Sequence, residues 1–91
     1  MIFTREDITR VMREAKRRMD DDIHDGFIPQ NARYIRAELA SRMQGVYGTI
    51  MAVVPNNNWR DVVWWLDEEL EELYEWYGLG NLFNDDGTRN L

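Results

Sequence analysis

Cysteine is absent from this chain, which excludes disulfide frameworks, thiolate catalysis and cysteine-ligated zinc. There is one histidine, His24, and one serine, Ser41, so nucleophile–base pairs have almost nothing to draw on, and most carboxylates fall on solvent-facing helix positions. The glycines form no phosphate-cradling loop, and no zinc or dinucleotide signature is present. No enzymatic activity and no cofactor are expected. Long apolar runs are also missing. The longest, Val46 to Val54, is far short of the roughly 20 residues needed to cross a bilayer. The amino terminus reaches Thr4, Arg5, Glu6 and Asp7 without an apolar signal-peptide core. No membrane partner and a cytoplasmic location are expected.

What is present describes a packed domain. Of the 91 residues, 44% are hydrophobic and 12% aromatic, too many for a solvated, disordered chain. That length supports one domain with a small core, so stability is a live question. The net charge of −6 is unevenly spread, because the basic residues crowd the first half and the second half is strongly acidic. An acidic half repels phosphates and anionic lipid, which disfavours nucleic acid as a partner except through the basic first helix. A protein with a basic surface is the better candidate.

Thr4 and Asp7 have the spacing of a capping box, so a first helix is expected to begin there. Ile8, Val11, Met12, Ala15 and Met19 recur at three- and four-residue steps and form one core-facing stripe. Arg10, Arg13 and Arg17 take the opposite face. Glu6 with Arg10 and Glu14 with Arg18 are spaced for helical ion pairs, so this strip reads as a solvated salt-bridge face. Asp20, Asp21, Asp22, His24 and Asp25 crowd the helix end, where negative charge is unfavourable, and Gly26 can turn the chain out. A calcium loop with Gly26 at its sixth position would put Ile23 and Ala32 where ligands are required, which excludes an EF-hand. The segment reads as a solvated acidic loop, with an irregular cation site as the lesser alternative.

Asn31 can cap a second helix, and Ala32, Ile35, Leu39, Met43, Val46, Ile50 and Val53 keep one phase through to Val54. Gly45 and Gly48 weigh against it, since each costs about 1 kcal/mol relative to alanine inside a helix. A strand through Val46 to Val54 is the competing reading, but it would find no other strand to pair with. One continuous helix is expected, with both glycines away from the centre of its apolar stripe.

The third helix carries the chain's distinctive chemistry. Asn58 is placed to cap it, Trp59, Val62, Val63, Leu66, Leu70, Leu73 and Tyr77 form its core stripe, and Gly78 can close it. At about 100° per residue, Trp65 and Trp76 lie roughly 80–100° to one side of Leu66 and Tyr74 about 80° to the other. Trp65 and Trp76 are therefore core flanks or, in a second reading, an oligomer interface. Trp64 falls about 160° from Leu66, amid Asp61, Glu68, Glu71 and Glu75, and cannot join that core. A large aromatic on an acidic face has the composition of an interface hot spot. The basic first helix, lying alongside, would offset part of this acidity within the molecule.

Taken together, the sequence predicts an all-α fold, a small three-helix bundle over residues 1–78 with a short, mobile tail over 79–91. Asp86-Gly87 is a favoured hairpin turn pair, but its flanks are too short and polar for a hairpin, so the tail is expected to be mostly mobile, with Leu82 and Phe83 docking on the bundle. The expected function is an acidic protein-interaction module, an adaptor or inhibitor that binds a basic protein through Trp64, Asp61, Glu68, Glu71 and Glu75. The rival is a homodimer or larger structural homo-oligomer that buries the wide apolar arc at Trp65 and Trp76.

Overall fold

The computed structural model describes residues 2–80, and these contain three helices: α1 (Arg5–His24), α2 (Ala32–Val53) and α3 (Trp59–Trp76). No strand occurs among the described residues, and the expected all-α three-helix fold is what forms. None of the three helices is long and apolar enough to cross a membrane. Leu82, Phe83 and the Asp86-Gly87 pair lie outside the described residues.

Thr4 and Asp7 close the anticipated capping box on α1. The Asp7 amide donates to Thr4 Oγ1 at 3.2 Å and the Thr4 amide to Asp7 Oδ2 at 2.9 Å, satisfying two amides that a helix start otherwise leaves open. Ile8, Met12 and Met19 are buried. Asp20, Asp21 and Asp22 belong to the helix, whereas the sequence suggests a loop. Each is matched by a cation: Asp20 by Lys16 at 2.7 Å, Asp21 by Arg17 at 3.0 Å, and Asp22 by Arg42 on α2. Those pairs offset the unfavourable dipole end. The exit is a Schellman turn at Gly26, whose φ of 84° suits glycine, with the Phe27 amide bonded back to the Asp22 carbonyl at 2.9 Å.

Helix α2 runs unbroken across Gly45 and Gly48. Asn31 caps it by accepting from the Arg33 amide at 2.9 Å, and Ile35, Leu39, Met43 and Ile50 are buried. Ala32 and Val53, assigned to the same stripe by phase, sit at the two ends of the helix and are exposed.

On α3, Val62, Leu66, Leu70 and Leu73 are buried as expected, and Tyr74 joins them at 1% exposure. The buried arc is thus turned towards Tyr74, and Trp59, in the first helical turn, is left exposed. Asn58 precedes the helix but makes no side-chain cap; its Oδ1 instead accepts the Phe3 amide at 2.9 Å and ties the amino-terminal segment to the start of α3. A second Schellman turn at Gly78 (φ 67°) ends the helix, with the Leu79 amide on the Tyr74 carbonyl at 2.9 Å. Leu79, a tail residue by sequence, is only 2% exposed and belongs to the core, and the Arg36 guanidinium donates to its carbonyl.

Cross-helix contacts establish the direction of each helix. Phe3 meets Asn58, Thr9 Oγ1 donates to Glu69 at 2.9 Å, and Tyr77 donates to Asp20 at 2.7 Å, so α1 and α3 advance together. Arg36 reaches Leu79 whereas Tyr47 reaches Asp67, so α2 runs against α3. The topology is up-down-up, with the closest backbone approach between α1 and α3. Parallel helices bring like dipole ends together, and pairing basic α1 with acidic α3 counters that cost.

Candidate protein-interaction face

The outer face of α3 follows from the burial of Leu66 and Leu70. With those side chains in the core, the helical repeat turns Trp64 to solvent, where it is 66% exposed. Trp64, Glu71 and Glu75 share one stripe, with Asp61 beside it, and all four are exposed. From Asp61 to Glu75 this stripe runs about 21 Å at the helical rise. Asp61, Glu71 and Glu75 have no cationic partner among the described residues. Their charge faces water.

Glu68 behaves differently. Arg5 of α1 and the Trp64 indole N–H both donate to it, and these hydrogen bonds, Arg5 first, hold its carboxyl below the ordinary glutamate range. Arg5 also lies 3.7 Å from Glu69. Glu68 is therefore part of the contact between α1 and α3 as well as of the acidic face. The indole bond orients the Trp64 ring along the stripe.

The two flanking tryptophans separate. Trp65 is partly buried and packs on the core, as a core flank does. Trp76 is 64% exposed, with the Lys16 ammonium 4.0 Å from its ring centroid, a cation–π contact across α1 and α3. These rings do not form one continuous apolar patch.

The Arg10, Arg13 and Arg17 strip carries the ion pairs its spacing suggests. Arg10 meets Glu6 at 3.4 Å, and Glu14 receives Arg17 at 2.6 Å and Arg18 at 3.1 Å. Hydrogen bonds from Arg17 and then Arg18 pull the Glu14 carboxyl down to about 2. No group of three or more acidic or histidine side chains among the described residues is arranged to hold a metal ion. The acids of this segment turn to separate partners: Asp20 to Lys16 and Asp21 to Arg17 on α1, Asp22 to Arg42 on α2, and Asp25 to the neighbouring His24.

Three contributors escaped the sequence reading. Tyr74 looked like a flank, Leu79 like tail and Asn58 like a cap. A signal existed only for Leu79, because an apolar residue directly after a helix-closing glycine commonly folds back onto the last turn. The chain matches no protein-family model, and neither a curated protein nor a solved structure resembles it significantly.

Proposed function

We propose that this protein is a small interaction module that presents the outer face of α3 to a basic protein surface, acting as an adaptor or as an inhibitor. The observation that carries this reading is Trp64, an indole 66% exposed among Asp61, Glu71 and Glu75. An exposed indole supplies area to bury, and carboxylates with no cationic partner among the described residues steer and orient an arginine- or lysine-rich surface. A basic surface that otherwise holds nucleic acid would be occluded by such a stripe of carboxylates. The rival oligomer through Trp65 and Trp76 has less in its favour, since Trp65 packs inward and Lys16 occupies the Trp76 ring.

The test is affinity capture from the native cell with the wild type, Trp64→Ala and the double variant Glu71→Lys/Glu75→Lys. A protein retained by the wild type, lost from both variants and released by salt supports the reading. Capture that is identical with all three proteins rejects the face.

A further inference from the structure

On the side of the bundle away from α3, α1 and α2 leave a groove. Its floor is Val11, Ala15, Val46 and Ile50, and its rim carries three arginines, Arg10, Arg18 and Arg42, against one acid, Glu14. Gly45 opens it, because a side chain built there would meet nothing within 4 Å. Arg10 and Arg18 are 72% and 70% exposed, and their ion pairs with Glu6 and Glu14 are solvated contacts that a new carboxylate can replace. The groove is lined by three arginines and one acid, whereas α3 holds seven acids and one arginine. The fold thus separates the chain's charge into a basic, apolar-floored groove on one side and an acidic, indole-bearing ridge on the other.

These two surfaces match each other. Trp64 is flanked along the ridge by Asp61 and Glu71, about 15 Å apart at the helical rise, and Arg10 and Arg18 stand about 12 Å apart along the groove. Long arginine side chains take up the difference. An indole of one molecule set over Val11, Ala15 and the open Gly45 position of another would bring carboxylates to both arginines. We propose that the α1/α2 groove is the seat for the Trp64 ridge of a second copy of this chain. This inference rests on the reading of Trp64 as an interaction residue and names a partner for that site. Because groove and ridge lie on opposite sides of the bundle, the contact is head-to-tail, and each added molecule leaves one groove and one ridge free. Association of this kind grows into chains with concentration and weakens with salt.

The experiment is sedimentation velocity across a concentration series on the wild type, a groove variant (Arg10→Glu/Arg18→Glu) and a ridge variant (Trp64→Ala/Glu71→Lys), with circular dichroism to verify helical content. The wild type is expected to show a mass that rises with concentration and falls at least tenfold in association constant between low and high salt. Each variant alone is expected to remain a monomer. The equimolar mixture tests the geometry directly: the groove variant retains a working ridge and the ridge variant a working groove, so the mixture should form a one-to-one dimer that grows no further. A wild type that is monomeric throughout overturns the self-docking proposal, while the Trp64 face is judged separately by the capture experiment. Self-association abolished in the ridge variant but retained in the groove variant overturns the groove as the seat. If either double variant loses its helical signal, Gly45→Phe, which fills the groove without altering charge, replaces the groove pair, and Glu71→Lys alone replaces the ridge pair; self-association unchanged by both overturns the proposal.

Discussion

The Tyr77 hydroxyl donates to the Asp20 carboxylate at 2.7 Å and joins the residue that caps the end of α3 to the carboxyl-terminal part of α1. Asp20 also receives Lys16 at 2.7 Å. Burial alone would raise the Asp20 carboxyl, but the hydrogen bonds from Lys16 and Tyr77 outweigh it and hold the group below its ordinary 3.8. Burial, followed by the Asp20 contact, pushes the Tyr77 phenol well above its usual range.

Two pH limbs follow from this pair. A depressed carboxyl contributes stability that is present above its unfolded value, so the Asp20 contribution is lost as pH falls below about 4. A raised phenol works in the other direction: the unfolded tyrosine ionises near pH 10 while the folded one stays protonated, so stability declines as pH climbs past about 10. Tyr77→Phe should cost about 1 kcal/mol at neutral pH and flatten the alkaline limb. Urea unfolding at pH 7, 9 and 11 measures both effects.

Leu66 and Leu70 are fully buried, so Leu66→Ala and Leu70→Ala should each cost about 2–5 kcal/mol. That is a large share of the roughly 5–15 kcal/mol typical of a whole domain. Urea denaturation should show a much lower midpoint for each, and near-neutral effects would contradict the orientation of α3.

Asn58→Ala should release the Phe3 amide and leave the start of α3 without its tether. A loss of about 1 kcal/mol is expected, with faster hydrogen exchange at Phe3. Slowly exchanging Phe3 in the variant would show that the tether is unimportant.

The helical face of Trp64 was legible from spacing alone, as was the run of α2 through both glycines. A phase of 100° per residue gives the direction of a side chain without any knowledge of its neighbours. The role of Asn58 was not legible, because its partner amide lies 55 residues away and no local pattern encodes it. Tyr74 and Trp65 stood almost symmetrically about Leu66 in sequence. Burial of Tyr74 is decided by α2, which passes on that side with Tyr47 bonded to Asp67. Glu68 looked identical to Glu71 in sequence, and only the parallel approach of α1 gives it Arg5.

Trp64→Ala should change thermal stability little, since the ring contacts solvent on most of its surface, while weakening partner binding by about 2 kcal/mol or more. Charge reversal separates the acids. Glu71→Lys and Glu75→Lys should slow association and reduce its salt dependence without a stability cost. Glu68→Lys should also lower the melting temperature, because it sets like charges together at Arg5. Stopped-flow association beside thermal melts distinguishes the two classes.

Gly48→Ala should stabilise the protein by about 0.5–1 kcal/mol, because the position is helical, exposed and open for a Cβ. A thermal melt of the variant checks this. A lower midpoint would mean that α2 needs the glycine for a bend.

Lys16 is the single lysine of the chain, and its ammonium sits over Trp76. Amine-directed reagents therefore have one side-chain target, whose modification removes the cation from an aromatic ring. Indole emission becomes an optical gauge of that event. Selective acylation of Lys16 would report on the junction of α1 and α3 in intact protein, with no engineered label and no change to the Trp64 ridge.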